Sequence, residues 1–396
     1  MSKEVWYRVI VGDDTGLIKE VAFSQEDDEA TPRILNTWGI QAADSAITQL
    51  TALEDSLVTY LRGNKTIELF SYMEAIVKTS FTIKDGHIVS IRFSPSEGLS
   101  VVTSTGELLL FKSWTEGKTK DVVCTKLPVD RVDCATWSED GLYVSSNLTP
   151  NPQLIKDGHV IWTAKNQPDT KLGVTAKFQA TSLVTVGNQL IAGDVQGQVR
   201  VYNHHVQRKA IFEIKNVFGK SSNHNHASDA VSRTRPVTCL TSLEDGKTVL
   251  CADTMGTLVG LDLDSKDVKY GFRGVMGSIR DVRLSGDNLY CVSAGRYIYK
   301  LNAAHHRTSP NKMFLKQKLT SVCVISDVEI EVERPSKKKR SNSNDESDQD
   351  EDNETDDDGE DEDDDAEEDD DDDDDDEDDD EDDEGDDSED VTDSSS

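Results

Sequence analysis

Gly193-Asp194-Val195-Gln196-Gly197-Gln198-Val199-Arg200-Val201-Tyr202 reads as two strand ends joined by a tight turn. Gly-Asp closes the first strand. Gly197 takes the position where a turn needs a positive φ, and alternating apolar residues open the second strand. The same phrase returns as Ala252-Asp253-Thr254-Met255-Gly256-Thr257-Leu258-Val259-Gly260-Leu261 and as Gly12-Asp13-Asp14-Thr15-Gly16-Leu17-Ile18. Weaker copies are Thr103-Ser104-Thr105-Gly106-Glu107-Leu108, Leu61-Arg62-Gly63-Asn64-Lys65-Thr66-Ile67 and Ser293-Ala294-Gly295-Arg296-Tyr297-Ile298.

With Gly16, Gly63, Gly106, Gly197, Gly256 and Gly295 as markers, the steps are 47, 43, 91, 59 and 39 residues. The longest step holds two units, one with a degraded hairpin near Asn147–His159. The 59-residue step contains the polar insertion Asn216–Thr234. The result is seven units of the length of a WD repeat. A second recurring piece lies ahead of the hairpins. Asp85-Gly86-His87-Ile88-Val89-Ser90-Ile91-Arg92-Phe93-Ser94-Pro95 has the Gly-His lead-in and the apolar-Ser-Pro turn of such repeats. The stretches from Arg131, Pro236 and Ser278 repeat it without the His, and no Trp-Asp dipeptide occurs. The predicted fold is all-β: a divergent seven-bladed WD40-type β-propeller over residues 1–330. Pairing of the N-terminal strand with C-terminal strands around Phe314–Ile325 is expected to remove the open sheet edge.

The net charge of −36 divides unevenly along the chain. Of 78 acidic residues, 39 lie after Arg340, where there is no Lys or Arg, leaving 39 acidic against 42 basic residues before it. Residues 1–340 are therefore close to neutral and slightly basic, a net of about +3. The segment 331–396 has too little apolar surface to offset a backbone ordering cost of roughly 1–2 kcal/mol per residue, and reads as a disordered tail with an acidic run at 345–390. Its basic cluster Lys337, Lys338, Lys339 and Arg340 suits nuclear import. Ser343, Ser347 and Thr355 each have an acidic residue three positions on, the pattern acidophilic kinases accept. Three jobs fit the acidic run: shielding a basic partner, competing with RNA for the body's basic face, or solubility.

Six cysteines without a Cys-x-x-Cys pair read as buried free thiols in a reducing compartment. No signal-peptide core and no apolar run of membrane-spanning length occurs, so an intracellular protein with no membrane partner is expected. No nucleophile elbow, phosphate-binding Gly-rich loop or His-Glu-x-x-His is present. The chain is read as a binding platform, not an enzyme, with no cofactor. The pairs His204-His205, His224/His226 and His305-His306 lack further ligands at fitting spacing and read as exposed loop residues, with no metal. Arg200, Arg208, Lys209, Arg233, Arg235, Arg273, Arg280, Arg283 and Arg296 fall in the last three repeats, where phosphate contact with RNA would need such groups on one face.

The segment Arg235–Val324 resembles the nucleolar WD-repeat factors of large ribosomal subunit assembly. It does so through Arg235-Pro236-Val237-Thr238, Ala252–Leu258, Phe272-Arg273-Gly274-Val275-Met276-Gly277-Ser278-Ile279-Arg280-Asp281 and Phe314-Leu315-Lys316-Gln317-Lys318-Leu319. Val160-Ile161-Trp162-Thr163-Ala164-Lys165-Asn166 and Gly197–Tyr202 match the same family upstream. The resemblance implies a scaffold bound to pre-60S particles in the nucleolus and nucleus, in contact with pre-rRNA, ribosomal proteins and assembly factors. It also implies release by a AAA-type ATPase and a link to the RNA-exosome helicase. Lys165, Arg200, Arg235, Arg273 and Arg280 are its binding candidates, and Trp162 suits packing equally well. An acidic-tailed histone chaperone and a general protein-interaction adaptor are the alternatives.

Overall fold

A computed structural model describes residues 2–25, 30–54, 56–148, 151–166, 178–219 and 235–332. Its 28 strands, β1 (Ser2–Asp13) to β28 (Leu319–Val332), form seven antiparallel four-stranded sheets. Six are consecutive in sequence: β4–β7 (Ile47–Thr82), β8–β11 (Ile88–Lys126), β12–β15 (Cys134–Thr163), β16–β19 (Ala180–Ile214), β20–β23 (Val237–Gly271) and β24–β27 (Ile279–Phe314). We call these blades 2 to 7. Blade 1 has the order β28-β1-β2-β3, with β2 at Ile18–Ser24 and β3 at Arg33–Trp38.

The N-terminal strand does pair with the C-terminal one, but the closing segment differs from the expected Phe314–Ile325. Phe314 ends β27, the outer strand of blade 7. Pairing with β1 begins at Leu319 opposite Asp13 and runs to Val332 opposite Ser2. Leu315 and Lys316 separate the two strands, and Lys316 turns the chain at φ 68°. The C-terminus thus supplies the innermost strand of blade 1, and the N-terminus the outer three.

No blade has a core of its own. Seven apolar clusters fill the seven seams between neighbouring blades. One example is Val199, Val201, Val237, Val249 and Leu261 between blades 5 and 6; another is Val9, Val11, Tyr290, Val292 and Ile298 between blades 7 and 1. The middle strands are therefore covered on both faces, and every residue of β2 (Ile18–Ser24) and β21 (Thr248–Asp253) is buried. The outermost strands have no neighbour to cover them, and β11 (Val122–Lys126) is almost wholly exposed. That places Cys124 in solvent, against the expectation of a buried thiol. Cys251, Cys291 and Cys323 are buried. Burial pushes the Cys239 thiol up to about 11, which keeps it protonated and unreactive.

One device repeats at the hairpins. Asp13, Asp194 and Asp253 are at most 1% exposed. Asp194 Oδ1 accepts from Gln196 N at 2.9 Å and Gln198 N at 2.8 Å. Asp253 Oδ1 does the same for Met255 N and Thr257 N, and Asp13 Oδ1 for Thr15 N and Leu17 N. In blade 3 the Thr103 hydroxyl substitutes, accepting from Glu107 N at 3.0 Å. The marker glycines have positive φ at Gly16, Gly63, Gly106, Gly197 and Gly256, but not at Gly295. In blade 7 the position belongs to Arg296, at φ 70°. Gly295 serves a different need, since a Cβ there would lie 2.7 Å from the Met276 carbonyl oxygen.

Lys19 is 6% exposed and locks the closure. Its Nζ donates to Asp13 Oδ2 at 3.1 Å, to the Leu315 carbonyl at 3.1 Å and to Gln317 Oε1 at 2.6 Å. Blade 1 is thereby tied to the linker that leads into the closing strand. Removing one partner of such a pair leaves a buried charge uncompensated, which costs about 3–5 kcal/mol. Lys19→Met is expected to lower stability in guanidinium by about 3 kcal/mol. Adding Asp13→Asn should restore part of the loss, because Asn keeps the turn acceptor without the charge. A double variant no more stable than Lys19→Met would refute the assignment.

Asp194 carries a pH signature. Burial pushes its carboxyl up to about 6, against the opposing pull of the Gln196 and Gln198 amides and Arg200. The unfolded value is about 3.9, so between about pH 4 and 6 the folded state binds more protons. Stability from this group therefore rises as pH falls through that window and is lost as pH rises. Asp194→Asn cannot gain in this way. Its melting temperature relative to the unmodified protein should drop as the pH is lowered from 7 towards 4.5, and a gap independent of pH would contradict the assignment.

Candidate functional site

Each blade's innermost strand starts at one end of the ring. The hairpins between its second and third strands return to that end, as do the linkers that join one blade to the next. The hairpins of blades 5 to 7 interlock there with three linkers. A Cβ on Gly197 would lie 2.5 Å from the Arg235 carbonyl oxygen, and one on Gly256 2.8 Å from that of Val275. Gly277 packs against the amide nitrogen of Gly295 in the same way. Leu315 N donates to the Arg296 carbonyl at 2.9 Å, and Asp14 N to that of Lys318 at 3.0 Å. Arg235, Arg273, Arg280, Arg296, Lys316 and Lys318 all stand exposed along this continuous arc. Met255 and Met276 lie on it too, 65% and 59% exposed.

The electrostatics favour an anion. Asp253, the acidic residue nearest Arg235, is buried beneath the arc, and its Oδ2 lies 3.4 Å from Arg235 Nη1. Asp281 is turned inward, accepting from Ser321 Oγ and Val322 N at 3.1 Å and pairing with Arg283 at 3.3 Å. Arg273 and Arg280 form no ion pair among the described residues. Of the exposed residues along this stretch, Asp14 alone carries a negative charge among the described residues.

The structure sorts the sequence candidates. Arg235, Arg273 and Arg280 come together on the arc. Lys165 is exposed and follows β15 in blade 4, where its amide donates to the Arg208 carbonyl at 2.8 Å rather than meeting the linkers of blades 5 to 7. Arg200 departs from expectation. It is 6% exposed, pairs with Glu213 at 3.2 Å, and sits 4.5 Å over the Phe178 ring. In β18 (Val199–Asn203) every residue up to Tyr202 faces a neighbouring strand or blade, so this cation packs inside. Trp162 fills the seam between blades 4 and 5, beside Tyr143 and Tyr202. Arg208 and Lys209 lie between β18 and β19, where Arg208 Nε donates to the Thr163 carbonyl at 2.8 Å and so ties blade 5 to blade 4. Arg233, His224, His226 and the tail residues Lys337, Lys338, Lys339, Arg340, Ser343, Ser347 and Thr355 lie outside the described residues. Lys316 and Lys318 were not singled out as site residues. Their signal was their place directly after the last outer strand, where each earlier blade also has its linker.

One histidine in each of two pairs is less exposed than expected, while His205 and His305 stand exposed. His306 stacks on Tyr270 with ring centroids 4.6 Å apart. His204 has a side chain only 9% exposed and lies with His205 beside Asp140, a grouping that could hold a metal ion.

No protein-family model matches the chain, and no curated protein sequence does. Among solved structures it is similar to the WD40 β-propeller domain of Doa1, with 13% identity and a TM-score of 0.54, covering 71% of this chain and 87% of that one. It is also similar to the computationally designed Ika8 protein, with 13% identity and a TM-score of 0.52, covering 79% of this chain and 86% of that one. Likeness at this identity shows a shared fold: the chain is a seven-bladed β-propeller of the WD40 type.

Proposed function

We propose that this chain is a non-enzymatic assembly factor of the large ribosomal subunit. The propeller is the platform, and it docks on pre-60S particles through pre-rRNA phosphates and adjoining proteins in the nucleolus and nucleus. The observation that carries the reading is the arc of six exposed cations on blades 5 to 7, set around two exposed methionines. Phosphate contacts supply sequence-independent affinity and fix orientation. Methionine adapts to irregular apolar partners, which suits a surface meeting RNA and protein together. The family resemblance runs through these same segments, from Arg235 to Leu319, and brings with it release by a AAA-type ATPase and a link to the exosome helicase.

Arg296 adds weight to the arc. A side chain in the left-handed region costs about 1–2 kcal/mol, and four hairpins of this ring put glycine at the same turn position. A cation kept at that turn position at a conformational cost supports a role for its side chain. The rival histone-chaperone reading finds no support on this surface, because a basic arc repels a basic partner.

Reversing charge in the double variant Arg273→Glu/Arg280→Glu should leave the melting temperature nearly unchanged. Co-sedimentation with large-subunit precursors should fall, and the salt dependence of RNA binding should lose between about one and two ion equivalents. Unaltered co-sedimentation would remove the arc from the binding surface. Arg296→Gly separates strain from function. Relief of about 1–2 kcal/mol is offset by roughly 0.4–1 kcal/mol of added unfolded-chain entropy, so stability should change little while RNA affinity falls. A variant that binds RNA as tightly as the parent would leave Arg296 with a conformational role only.

A further inference from the structure

At the end of the ring opposite the basic arc, two turns from neighbouring blades bring three ligand-type atoms together. Asp140 sits in the turn between β12 and β13 of blade 4, and His204 and His205 follow β18 in blade 5. Asp140 Oδ2 lies 3.4 Å from His204 Nε2 and 3.3 Å from His205 Nε2, and the three atoms fall within 4.8 Å of one another. A charge-assisted hydrogen bond between such groups would be about 2.7–2.9 Å long. The edge of a tetrahedron around zinc is longer. With bonds of about 2.0–2.1 Å, adjacent ligand atoms are separated by roughly 3.3–3.4 Å. Both carboxylate–imidazole separations match that edge, while the two imidazole rings, their centroids 3.8 Å apart, would splay to complete the third.

The groups are held in place. Ser138 Oγ accepts from Asp140 N at 3.2 Å and donates to the Gly141 carbonyl at the same distance, which fixes the Asp140 turn. Asn203 Oδ1 accepts from His205 N at 3.0 Å. Tyr143 Oη lies 2.7 Å from His204 Nδ1, leaving Nε2 to face the carboxylate. A hydrogen-bonded partner on the far ring nitrogen is what metal-binding histidines characteristically have. Asp140 and His205 are 31% and 51% exposed, so an ion can enter and a fourth position faces solvent.

We propose that Asp140, His204 and His205 form a zinc site that staples blade 4 to blade 5, with water in the fourth position. The reading is independent of the basic arc and of the ribosomal proposal.

The test uses the full chain, because its acidic tail also attracts divalent cations and must be present in every variant. Cobalt(II) is the probe, with zinc as competitor. The unmodified protein should show the visible absorption bands of tetrahedral cobalt, which zinc displaces, and zinc should raise its melting temperature. Tyr143→Phe should weaken zinc binding by roughly tenfold or more. His204→Ala and His205→Ala should each abolish the tetrahedral bands while circular dichroism stays that of a folded propeller. His205, half exposed, provides the variant least able to disturb folding. Absence of tetrahedral bands in the unmodified protein would overturn the proposal. Equal zinc binding and stabilisation in the unmodified protein and His205→Ala would also overturn it, assigning all the ion to the tail.

Discussion

Closure of the ring is the constraint on which everything else rests. A blade here is a four-stranded sheet with both faces apolar, and it can bury them only against the two blades beside it. Six blades can form locally, each from one continuous segment. The seventh seam exists only when β28 lies against β1, across more than three hundred residues of chain. Until then two apolar faces and a strand edge stay open. Lys19 sits at that junction, its ammonium group shared between Asp13, Gln317 and the Leu315 carbonyl. A buried ion is a costly way to gain stability but a strict way to gain register. Here it fixes the linker that leads into the last strand.

The hairpins were legible in the sequence because their chemistry is local. An Asp that caps a turn through its own carboxylate, with a Gly at the positive-φ position three residues on, leaves a mark that needs no tertiary information. Asp13, Asp194 and Asp253 can be read in this way, and the seven-fold period follows from the spacing of Gly16, Gly63, Gly106, Gly197, Gly256 and Gly295. Gly295 shows where the reading stops. The sequence has a glycine one residue before the place the turn needs it, and only the structure shows that this glycine makes room for the Met276 carbonyl while Arg296 takes the strained position.

What escaped the sequence was everything set by neighbours distant along the chain. Arg200 alternates correctly with apolar residues and looks like a surface cation on a strand. Its burial comes from Phe178, just ahead of β16, and from Glu213 on β19 of the same blade. The start of the closing strand was misplaced by a few residues because Phe314, Leu315 and Leu319 are all apolar. Only pairing distinguishes the end of an outer strand from the start of an inner one. The grouping of Asp140 with His204 and His205 needed two turns from different blades to meet, and no spacing rule connects positions that far apart.

The two ends of the ring are built from the same kinds of turn, yet differ in what those turns may carry. A strand residue in this fold answers to the seam it fills, as Trp162 and Arg200 do, so a cation placed there becomes part of the packing. A turn residue answers only to its own φ and ψ. Arg273, Arg296, Lys316 and Lys318 lie between strands, and Arg280 is one residue into β24, where the innermost strand emerges from the linker. Charge can therefore accumulate on that rim without disturbing any seam. The rigidity that closure gives the seams then holds the backbone positions of those cations at fixed separations, so a partner meets one preset array of charge.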